Sequence, residues 1–206
     1  TSSTGTWTWK NADENTTVGN AGTNKFTAVF TPANGNYLAK EVEVTVSVAK
    51  KAINLPIVSD KEYTGELITS GLITNDLYTV INDNGGINIG TYSVKVSIVD
   101  TANYRWSTTT DTEVIINYQI AAAINSWSVT PEISDITFSD TLVVIGEAKY
   151  GDFEVWYKLT GSNDAEYSKT QPTAAGDYTA KFITVDDNYT ILTQLVTFKI
   201  AKKVVA

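Results

Sequence analysis

The residues that could do chemistry in this chain of 206 residues are its 23 acidic and 15 basic side chains, because it contains no His and no Cys. Without those two residue types there is no Ser-His-Asp triad, no Cys nucleophile, no disulfide and no zinc site with His or Cys ligands. Two facing carboxylates could hydrolyse a glycoside without His, but no pair stands out among the 23 acids. We therefore predict that the chain is not an enzyme and uses no cofactor.

The charge of the chain limits its partners. The formal net charge is −8, and Arg105 is the single arginine, whereas binding to phosphates needs clustered Lys and Arg side chains. We expect no nucleic-acid partner. No apolar run approaches the roughly 18 residues of a membrane helix, so we expect no membrane insertion in this segment, and we expect a monomer.

The elements that carry these side chains read as β-strands. Apolar and polar residues alternate with a period of two in residues 42–48, 92–98, 178–182 and 196–200. Turn-forming residues separate these stretches, as at 32–36 and 82–86. The pattern predicts an all-β chain of antiparallel strands in two layers.

One arrangement of residues occurs three times. Each copy has a glycine, a strand with an aromatic residue, an Asn-Tyr pair and a last strand that ends in Ala-Lys-Lys or Ala-Ala-Ala. The strand aromatic lies 11, 12 and 11 residues before the Tyr of the pair. The three pairs are Asn36-Tyr37, Asn103-Tyr104 and Asn188-Tyr189.

The repetition predicts module boundaries near residues 50 and 123. The predicted modules are residues 1–50, 51–123 and 124–206, and the last two are long enough to fold as small sandwiches. Residues 1–50 are too few for the strands that precede the hairpin in the other copies. We expect that the sequence begins inside its first module or that this module is a shortened variant. The short junctions predict an extended arrangement of neighbouring modules.

Several phrases in the sequence resemble one family of repeats. They are Gly5-Thr6-Trp7-Thr8-Trp9 with Val18-Gly19-Asn20, Tyr63-Thr64-Gly65 with Asn88-Ile89-Gly90-Thr91-Tyr92, and Pro172-Thr173-Ala174-Ala175-Gly176-Asp177-Tyr178. With the Asn-Tyr pairs, they look like the tandem bacterial Ig-like and MBG/YDG-type repeats of large secreted surface proteins of Gram-positive bacteria.

The resemblance implies tandem small Ig-like antiparallel β-sandwich modules. It implies a non-catalytic adhesive stalk or spacer that is extracellular and attached to the cell surface or cell wall. The partners implied are host or cell-wall glycans or proteins. The family has no shared catalytic residues to carry over.

The repeated motif residues are interpreted as structural. Asn tolerates left-handed turn geometry, and Tyr37, Tyr104 and Tyr189 are expected to lie across the core edge with each hydroxyl on a backbone partner. Tyr92 and Tyr178, two residues after Gly90 and Gly176, are similar to the tyrosine corner that closes Ig-like sandwiches.

Trp156 is the candidate ligand-binding residue. In residues 152–159 it lies with Glu154 and Lys158 on the face opposite the apolar set, which predicts an exposed aromatic platform for a sugar. This is the basis of an alternative function, a carbohydrate-binding accessory module of a secreted polysaccharide-active enzyme. Trp7 and Trp9 share a face and are expected to be core.

Calcium is the one metal that these residue types could bind through oxygen ligands. The local clusters are Asp186-Asp187-Asn188 and Asp13-Glu14-Asn15, and neither matches a dense ligand loop. We interpret both as solvated turn residues and predict no metal site.

Overall fold

The computed structural model of the protein describes residues 4–13 and 16–205. Its strands, numbered in chain order, are β1 (Gly5–Trp9), β2 (Gly22–Pro32), β3 (Lys40–Val48), β4 (Lys51–Ile53), β5 (Lys61–Glu62), β6 (Tyr78–Asn82), β7 (Gly90–Ile98), β8 (Tyr104–Trp106), β9 (Glu113–Ala121), β10 (Trp127–Ile133), β11 (Ile136–Thr137), β12 (Val144–Ala148), β13 (Phe153–Leu159), β14 (Gly176–Thr184) and β15 (Thr193–Ala201). These residues contain no α-helix, and one 3-10 turn spans Asp164–Glu166. The prediction of an all-β chain is confirmed. A search of the same residues for a helix able to cross a membrane finds none.

Strands β1, β2 and β3 form an antiparallel sheet in that order. The register places Trp7 opposite Phe30 and Trp9 opposite Ala28, and the valines of β3 continue the same face. Side chains alternate between the two faces of a strand, so Thr, Lys and Glu residues occupy the opposite face. The sheet therefore has one apolar face and one polar face, and we call the first the open face.

The expectation that Trp7 and Trp9 are core residues is wrong. They share a face, but Trp7 is 59% exposed and Trp9 is 52% exposed. Ala28 is the only buried residue in these three strands. The physical reason is that strand alternation selects a face, whereas burial needs a second layer of structure over that face.

Residues 51–123 have a core of their own. Strands β5, β9, β7 and β6 form a sheet in that order, and β4 pairs in parallel with β8. The buried residues of its core cluster are Ile53, Val94, Val96, Ile98 and Trp106, and Tyr118 and Ile120 of β9 are buried as well. The indole nitrogen of Trp106 donates to the carbonyl of Thr112 at 3.2 Å, which satisfies its one buried donor. The predicted alternation in 92–98 thus has its apolar side in a core.

The chain from 124 onward folds as two layers. The order of the four-stranded sheet is β11-β15-β14-β13, and β10 pairs with β12 in a second sheet. The buried core residues are Ile133, Tyr157, Tyr178, Ala180, Phe182, Phe198 and Ile200. Trp127 of β10 packs edge-on against Phe153 and Phe182, with ring centroids 5.7 and 6.4 Å apart. The pair β10-β12 therefore covers the apolar face of the larger sheet.

By compactness the chain divides into two units. The first comprises residues 1–58, 71–83 and 94–116, and the second comprises residues 59–70, 84–93 and 117–206. Strands β7 and β9 run through both units. The three predicted modules and their boundaries stay a prediction.

Candidate functional site

The side chain of Asn103 makes a long-range connection in the first unit. Its Oδ1 accepts a hydrogen bond from the backbone N–H of Ala21 at 2.8 Å, and its Nδ2 donates to Oδ1 of Asn20 at 3.1 Å. Ala21 directly precedes Gly22, which begins β2 with φ of +129°. A side chain in the loop between β7 and β8 therefore holds the start of β2.

Asp100 fixes the orientation of Asn103. Its Oδ2 accepts from Asn103 Nδ2 at 2.8 Å, and its Oδ1 accepts from the backbone N–H groups of Ala102 and Asn103 at 3.0 and 3.1 Å. The side-chain hydrogen bond from Asn103, helped by these backbone donors and by the charge of Lys50, lowers the pKa of the Asp100 carboxyl. The amide group is thus positioned by a carboxylate that is kept ionised.

The backbone at Asn103 closes the same junction. The N–H of Lys51 donates to the carbonyl of Asn103 at 2.8 Å, and the ammonium of Lys50 donates to the carbonyl of Thr101 at 2.7 Å. The pairing continues in parallel between β4 and β8. The Ala-Lys-Lys junction is therefore ordered by hydrogen bonds to the loop that carries Asn103.

The second unit contains the same arrangement at Asn188. Its Oδ1 accepts from the backbone N–H of Ile89 at 3.0 Å, and its carbonyl accepts from Ala123 N–H at 3.0 Å. Ile89 directly precedes Gly90, which begins β7 with φ of +153°. Asp186 again orients the Asn, through its Oδ1, at 3.2 Å from Asn188 Nδ2 and 2.9 Å from Asn188 N.

We call this arrangement the Asn bracket. In it, the side-chain oxygen of an Asn accepts a hydrogen bond from the backbone N–H of the residue that precedes a strand-initiating glycine. The backbone carbonyl of the same Asn accepts from the N–H of the third residue of an Ala-Lys-Lys or Ala-Ala-Ala end. The two brackets join sequence positions 82 and 99 residues apart. Positive φ at Gly22 and Gly90 is a conformation that disfavours residues with a Cβ, so glycine lets the preceding N–H point at the Asn.

The tyrosines of the Asn-Tyr pairs differ in their surroundings. Tyr189 stacks on Tyr150 at 4.5 Å between ring centroids and meets Tyr63 edge-on at 5.2 Å. Loss of solvation, with the nearby tyrosines and Asp186, raises the pKa of Tyr189. Tyr104 is half-buried against the Trp106 core, and Tyr37 is 60% exposed.

Two other predicted motif tyrosines hydrogen-bond locally. The hydroxyl of Tyr92 donates to the carbonyl of Asn88 at 2.9 Å, and the hydroxyl of Tyr178 donates to the carbonyl of Ala174 at 2.9 Å. Each acceptor lies four residues before its tyrosine and two residues before the glycine, Gly90 or Gly176, that begins the strand. This is the type of hydrogen bond that a tyrosine corner makes, and it holds the strand start in shape.

Trp156 lies on β13 with Glu154 and is half-buried. Its indole nitrogen donates to Glu154 Oε2 at 3.2 Å. The ammonium of Lys169 lies 4.8 Å from the centre of the Trp156 ring and 2.6 Å from Glu154 Oε1. The pKa of the Glu154 carboxyl is lowered, mainly by the hydrogen bond that the Lys169 ammonium donates to it. One face of the predicted platform is therefore occupied by a cation of the same chain.

Lys158 points into a separate polar cluster on the same strand. Its ammonium donates to the carbonyl of Ser162 at 2.6 Å and to Asp164 Oδ1 at 2.7 Å. This ammonium lies 5.1 Å from the centre of the Tyr167 ring, and the ammonium of Lys181 lies 4.5 Å from the same ring centre. The structure thus places Glu154 beside Trp156 but turns Lys158 toward the 3-10 turn. The ligand-binding role of the three residues stays a prediction.

Among the residues that the structure describes, no three acidic side chains converge as metal ligands would. In the first of the two acidic clusters, Asp186 uses its Oδ1 to orient Asn188. In the second, Glu14 and Asn15 lie outside the described residues.

The sequence singled out the Asn-Tyr pairs but missed the partner of each Asn. Two signals could have found it. An Asp lies two or three residues before Asn103 and Asn188, and a glycine begins a strand in each preceding copy of the repeated motif.

A comparison with known protein families and with curated proteins finds no match to this chain.

Proposed function

We propose that this chain is a non-catalytic extracellular repeat region of a bacterial cell-surface protein that acts as an adhesive stalk or spacer. In this proposal the repeated motifs mark small Ig-like modules, and the Asn brackets hold each module on the next. The region would be attached to the cell surface or wall, with host or cell-wall glycans or proteins as partners.

The observation that carries this proposal is the second Asn bracket. A single long-range Asn contact could arise by chance in packing, but the same types of group occur at Asn103 and at Asn188. In both, a backbone N–H before a strand-initiating glycine donates to the Asn side chain, and an Asp orients that side chain. A spacer has to transmit orientation along its length, which needs ordered junctions. In the proposed stalk each bracket replaces free rotation at a short junction with hydrogen bonds from side chain and backbone.

Small-angle X-ray scattering tests the spacer function. We expect an extended particle for the wild-type chain, and a broader distribution of dimensions for Asn103→Ala and Asn188→Ala together. Asn163→Ala is the matched control, because Asn163 accepts from Ala165 N within its own turn. A compact globule for the wild type, or no difference between the double variant and the control, would contradict the proposal.

The alternative function is a carbohydrate-binding accessory module of a secreted polysaccharide-active enzyme. The exposure of Trp7 and Trp9 on one face of the sheet favours it, because indoles stack on sugar rings. Glycan-array binding that is lost in Trp7→Ala with Trp9→Ala, or in Trp156→Ala, would support this function. Blank arrays for the wild-type chain would exclude it for the glycans tested.

A further inference from the structure

The dipeptide Asn-Gly occurs twice in the chain, at Asn34-Gly35 and at Asn84-Gly85. In this dipeptide the backbone nitrogen of the glycine can attack the side-chain carboxamide of the asparagine, because glycine has no Cβ to keep the two groups apart and its backbone rotates freely. The reacting groups are the same at both places. The backbone around each dipeptide differs, and it decides whether the attack can occur in the folded chain.

Asn34 and Gly35 lie in the loop between β2 and β3. Both are exposed, and nothing lies within 4 Å of the position that a Cβ on Gly35 would take. Within the part of the chain that the structure describes, the backbone N–H of Gly35 donates no hydrogen bond. The attacking nitrogen therefore has no partner to give up before it reacts.

The carboxamide of Asn34 is held in a way that favours the attack. Its Oδ1 accepts a hydrogen bond from the backbone N–H of Asn36 at 3.0 Å, and the Asn34 carbonyl accepts from the N–H of Tyr37 at 3.1 Å, which closes the turn. When a nitrogen adds to the carboxamide carbon, negative charge moves onto Oδ1. A backbone N–H that already points at this oxygen stabilises the charge, as the donors of an oxyanion hole do.

The second dipeptide is held by a β-bridge. Gly86 and Ile68 exchange two backbone hydrogen bonds, of 2.9 and 2.8 Å, and Gly85 has φ of +61°. A Cβ on Gly85 would collide with the carbonyl oxygen of Ile68, so the two backbones are closely packed. The bridge therefore has to open before the backbone of Asn84 can rotate into the geometry of the reaction.

We propose that Asn34 is a site of spontaneous modification, at which the folded chain converts its own asparagine to aspartate and isoaspartate. A base removes the proton from the Gly35 N–H, and the nitrogen bonds to Cγ of Asn34. The bond from Cγ to Nδ2 then breaks, and ammonia leaves with a proton taken from the conjugate acid of the base. The product is a succinimide ring.

Water opens this ring by adding to one of its two carbonyl carbons. If the bond between Cγ and the ring nitrogen breaks, the product is aspartate. If the bond between the backbone carbonyl carbon and the ring nitrogen breaks, the product is isoaspartate, whose backbone is longer by one carbon. Water is the only co-reactant, and nothing is oxidised or reduced.

The aspartate product places a carboxylate where the third copy of the motif already has one. Asp186 lies two residues before Asn188, and its Oδ1 accepts from both the backbone N–H and Nδ2 of Asn188. Asn34 lies two residues before Asn36 and accepts from its backbone N–H. The conversion replaces the donor Nδ2 of Asn34 by an acceptor oxygen, so the side chain can also accept from the Asn36 amide. It adds one negative charge to the formal −8 of the chain.

The exposure of Gly35 does not depend on whether Asn36 has a partner. In both Asn brackets the residue before the bound Asn, Ala102 or Asp187, is exposed. The reaction also does not depend on whether the chain is a spacer or a carbohydrate-binding module. A failure of either function would leave the modification of Asn34 unaffected.

Peptide mapping by mass spectrometry measures both sites at once, on the full folded chain incubated at mildly alkaline pH. The reaction adds the mass of water and removes that of ammonia, and electron-transfer fragmentation distinguishes aspartate from isoaspartate. We expect Asn34 to convert at least about thirtyfold faster than Asn84, the effect of the two hydrogen bonds that the second site must first break. In urea, where both segments are unfolded, the two rates should be similar.

Variants of Asn36 test the N–H that holds the Asn34 Oδ1. Asn36→Pro removes this N–H and should slow the conversion of Asn34 about tenfold, the effect of one hydrogen bond. Asn36→Ala keeps the N–H and should convert like the wild type. Each rate is divided by the rate of the same variant in urea, which removes the effect of residue type alone. Gly35→Ala should slow the reaction in both conditions, because its Cβ hinders the attack.

Asn34→Asp tests the consequence of the modification. We expect the side-chain NH₂ resonances of Asn36 to shift relative to the wild type, because a carboxylate then accepts from that amide. Asn84→Asp adds the same charge and is the control, which should leave the Asn36 resonances in place. Unchanged Asn36 resonances in Asn34→Asp would contradict the proposed orienting effect.

Three outcomes would overturn the proposed site. They are equal rates at Asn34 and Asn84 in the folded chain, a rate at Asn34 that is lower in the folded chain than in urea, and aspartate formed without any isoaspartate. The last would mean that water hydrolyses the carboxamide directly, without attack by the Gly35 nitrogen.

Discussion

The sheet β1-β2-β3 and the β13-β14-β15 part of the later sheet have the same register and differ in what covers them. Trp9 pairs with Ala28 as Tyr157 pairs with Ala180, and Trp7 pairs with Phe30 as Val155 pairs with Phe182. Ala180 and Phe182 are fully buried beneath β10 and β12, whereas the open face leaves Trp7 and Trp9 more than half exposed.

This difference separates two steps of folding that the sequence pattern does not distinguish, namely the choice of an apolar face and the covering of that face by a second layer. Alternation of apolar and polar residues is enough to choose the face and the register of a sheet. It does not provide the second layer, and without that layer the hydrophobic gain from the same residues is much smaller. The open sheet therefore depends on its own strand pairing and on the Asn103 bracket at the start of β2.

The largest predicted effect compares the same position in the two sheets. We expect Phe182→Ala to lower the free energy of unfolding by about 3–5 kcal/mol, because it leaves a cavity in a closed core. Phe30→Ala should cost about 1 kcal/mol, because its half-buried ring lies on the open face, where its centroid is 5.1 Å from that of Trp7. Urea denaturation followed by far-UV circular dichroism measures both, and equal losses would mean that the open face is covered in solution.

The next prediction removes the brackets one at a time. Asn103→Ala and Asn188→Ala should each cost about 1 kcal/mol through lost hydrogen bonds. The location of the effect should differ. Asn103→Ala should speed amide hydrogen exchange throughout β2 and β3, which lack a core, whereas Asn188→Ala should leave exchange in β14 and β15 slow.

The Asn163→Ala variant should change exchange only in its own turn and serves as the reference. If Asn103→Ala leaves β2 and β3 as protected as the wild type, then the open sheet is held by something other than its bracket.

The sequence predicts much of this comparison. The alternation in 42–48, 92–98 and 178–182 identified strands and faces because a strand side chain follows a local rule with a period of two. The alternation also predicts that Trp7 and Trp9 share a face, as they do, but their exposure depends on a covering layer that local alternation cannot report.

The site shows the same division between local and distant information. The Asn-Tyr pairs were visible as a repeated dipeptide, and turn geometry was a sufficient local explanation for them. The donors that Asn103 and Asn188 bind lie 82 and 99 residues away, and they are backbone N–H groups, which every non-proline residue has. Residue type alone therefore could not identify Ala21 or Ile89 as partners.

Acid should act first on the open sheet. In the folded chain the pKa of the Asp100 carboxyl is lowered, chiefly by the hydrogen bond from the Asn103 side chain. The ionised carboxylate therefore stabilises the fold at any pH above the pKa that Asp100 has in the unfolded chain. That contribution is lost as the pH falls through the lowered folded-state pKa of Asp100.

A carboxyl NMR titration measures the pKa of Asp100 directly. In Asn103→Ala it should move up toward its ordinary value, and the acid sensitivity of β2 and β3 exchange should decrease. An unchanged Asp100 titration in that variant would show that the backbone N–H groups of Ala102 and Asn103 orient the carboxylate without the side chain.

The smallest predicted effects concern the outer, polar faces of the two sheets. Lys25 pairs with Glu43 at 2.8 Å on the open sheet, and Lys169 pairs with Glu154 at 2.6 Å on the covered one. Both pairs are exposed, so neither Lys25→Ala nor Lys169→Ala should shift the urea midpoint measurably.

The two variants should differ in one local readout. Lys169→Ala uncovers the Trp156 ring and raises the pKa of Glu154, which should shift the Trp156 indole N–H resonance, whereas Lys25→Ala should shift no indole resonance. A measurable change in midpoint for Lys169→Ala would mean that this ion pair, with its cation over an aromatic ring, stabilises the covered sheet in a way that the isolated pair on the open sheet does not.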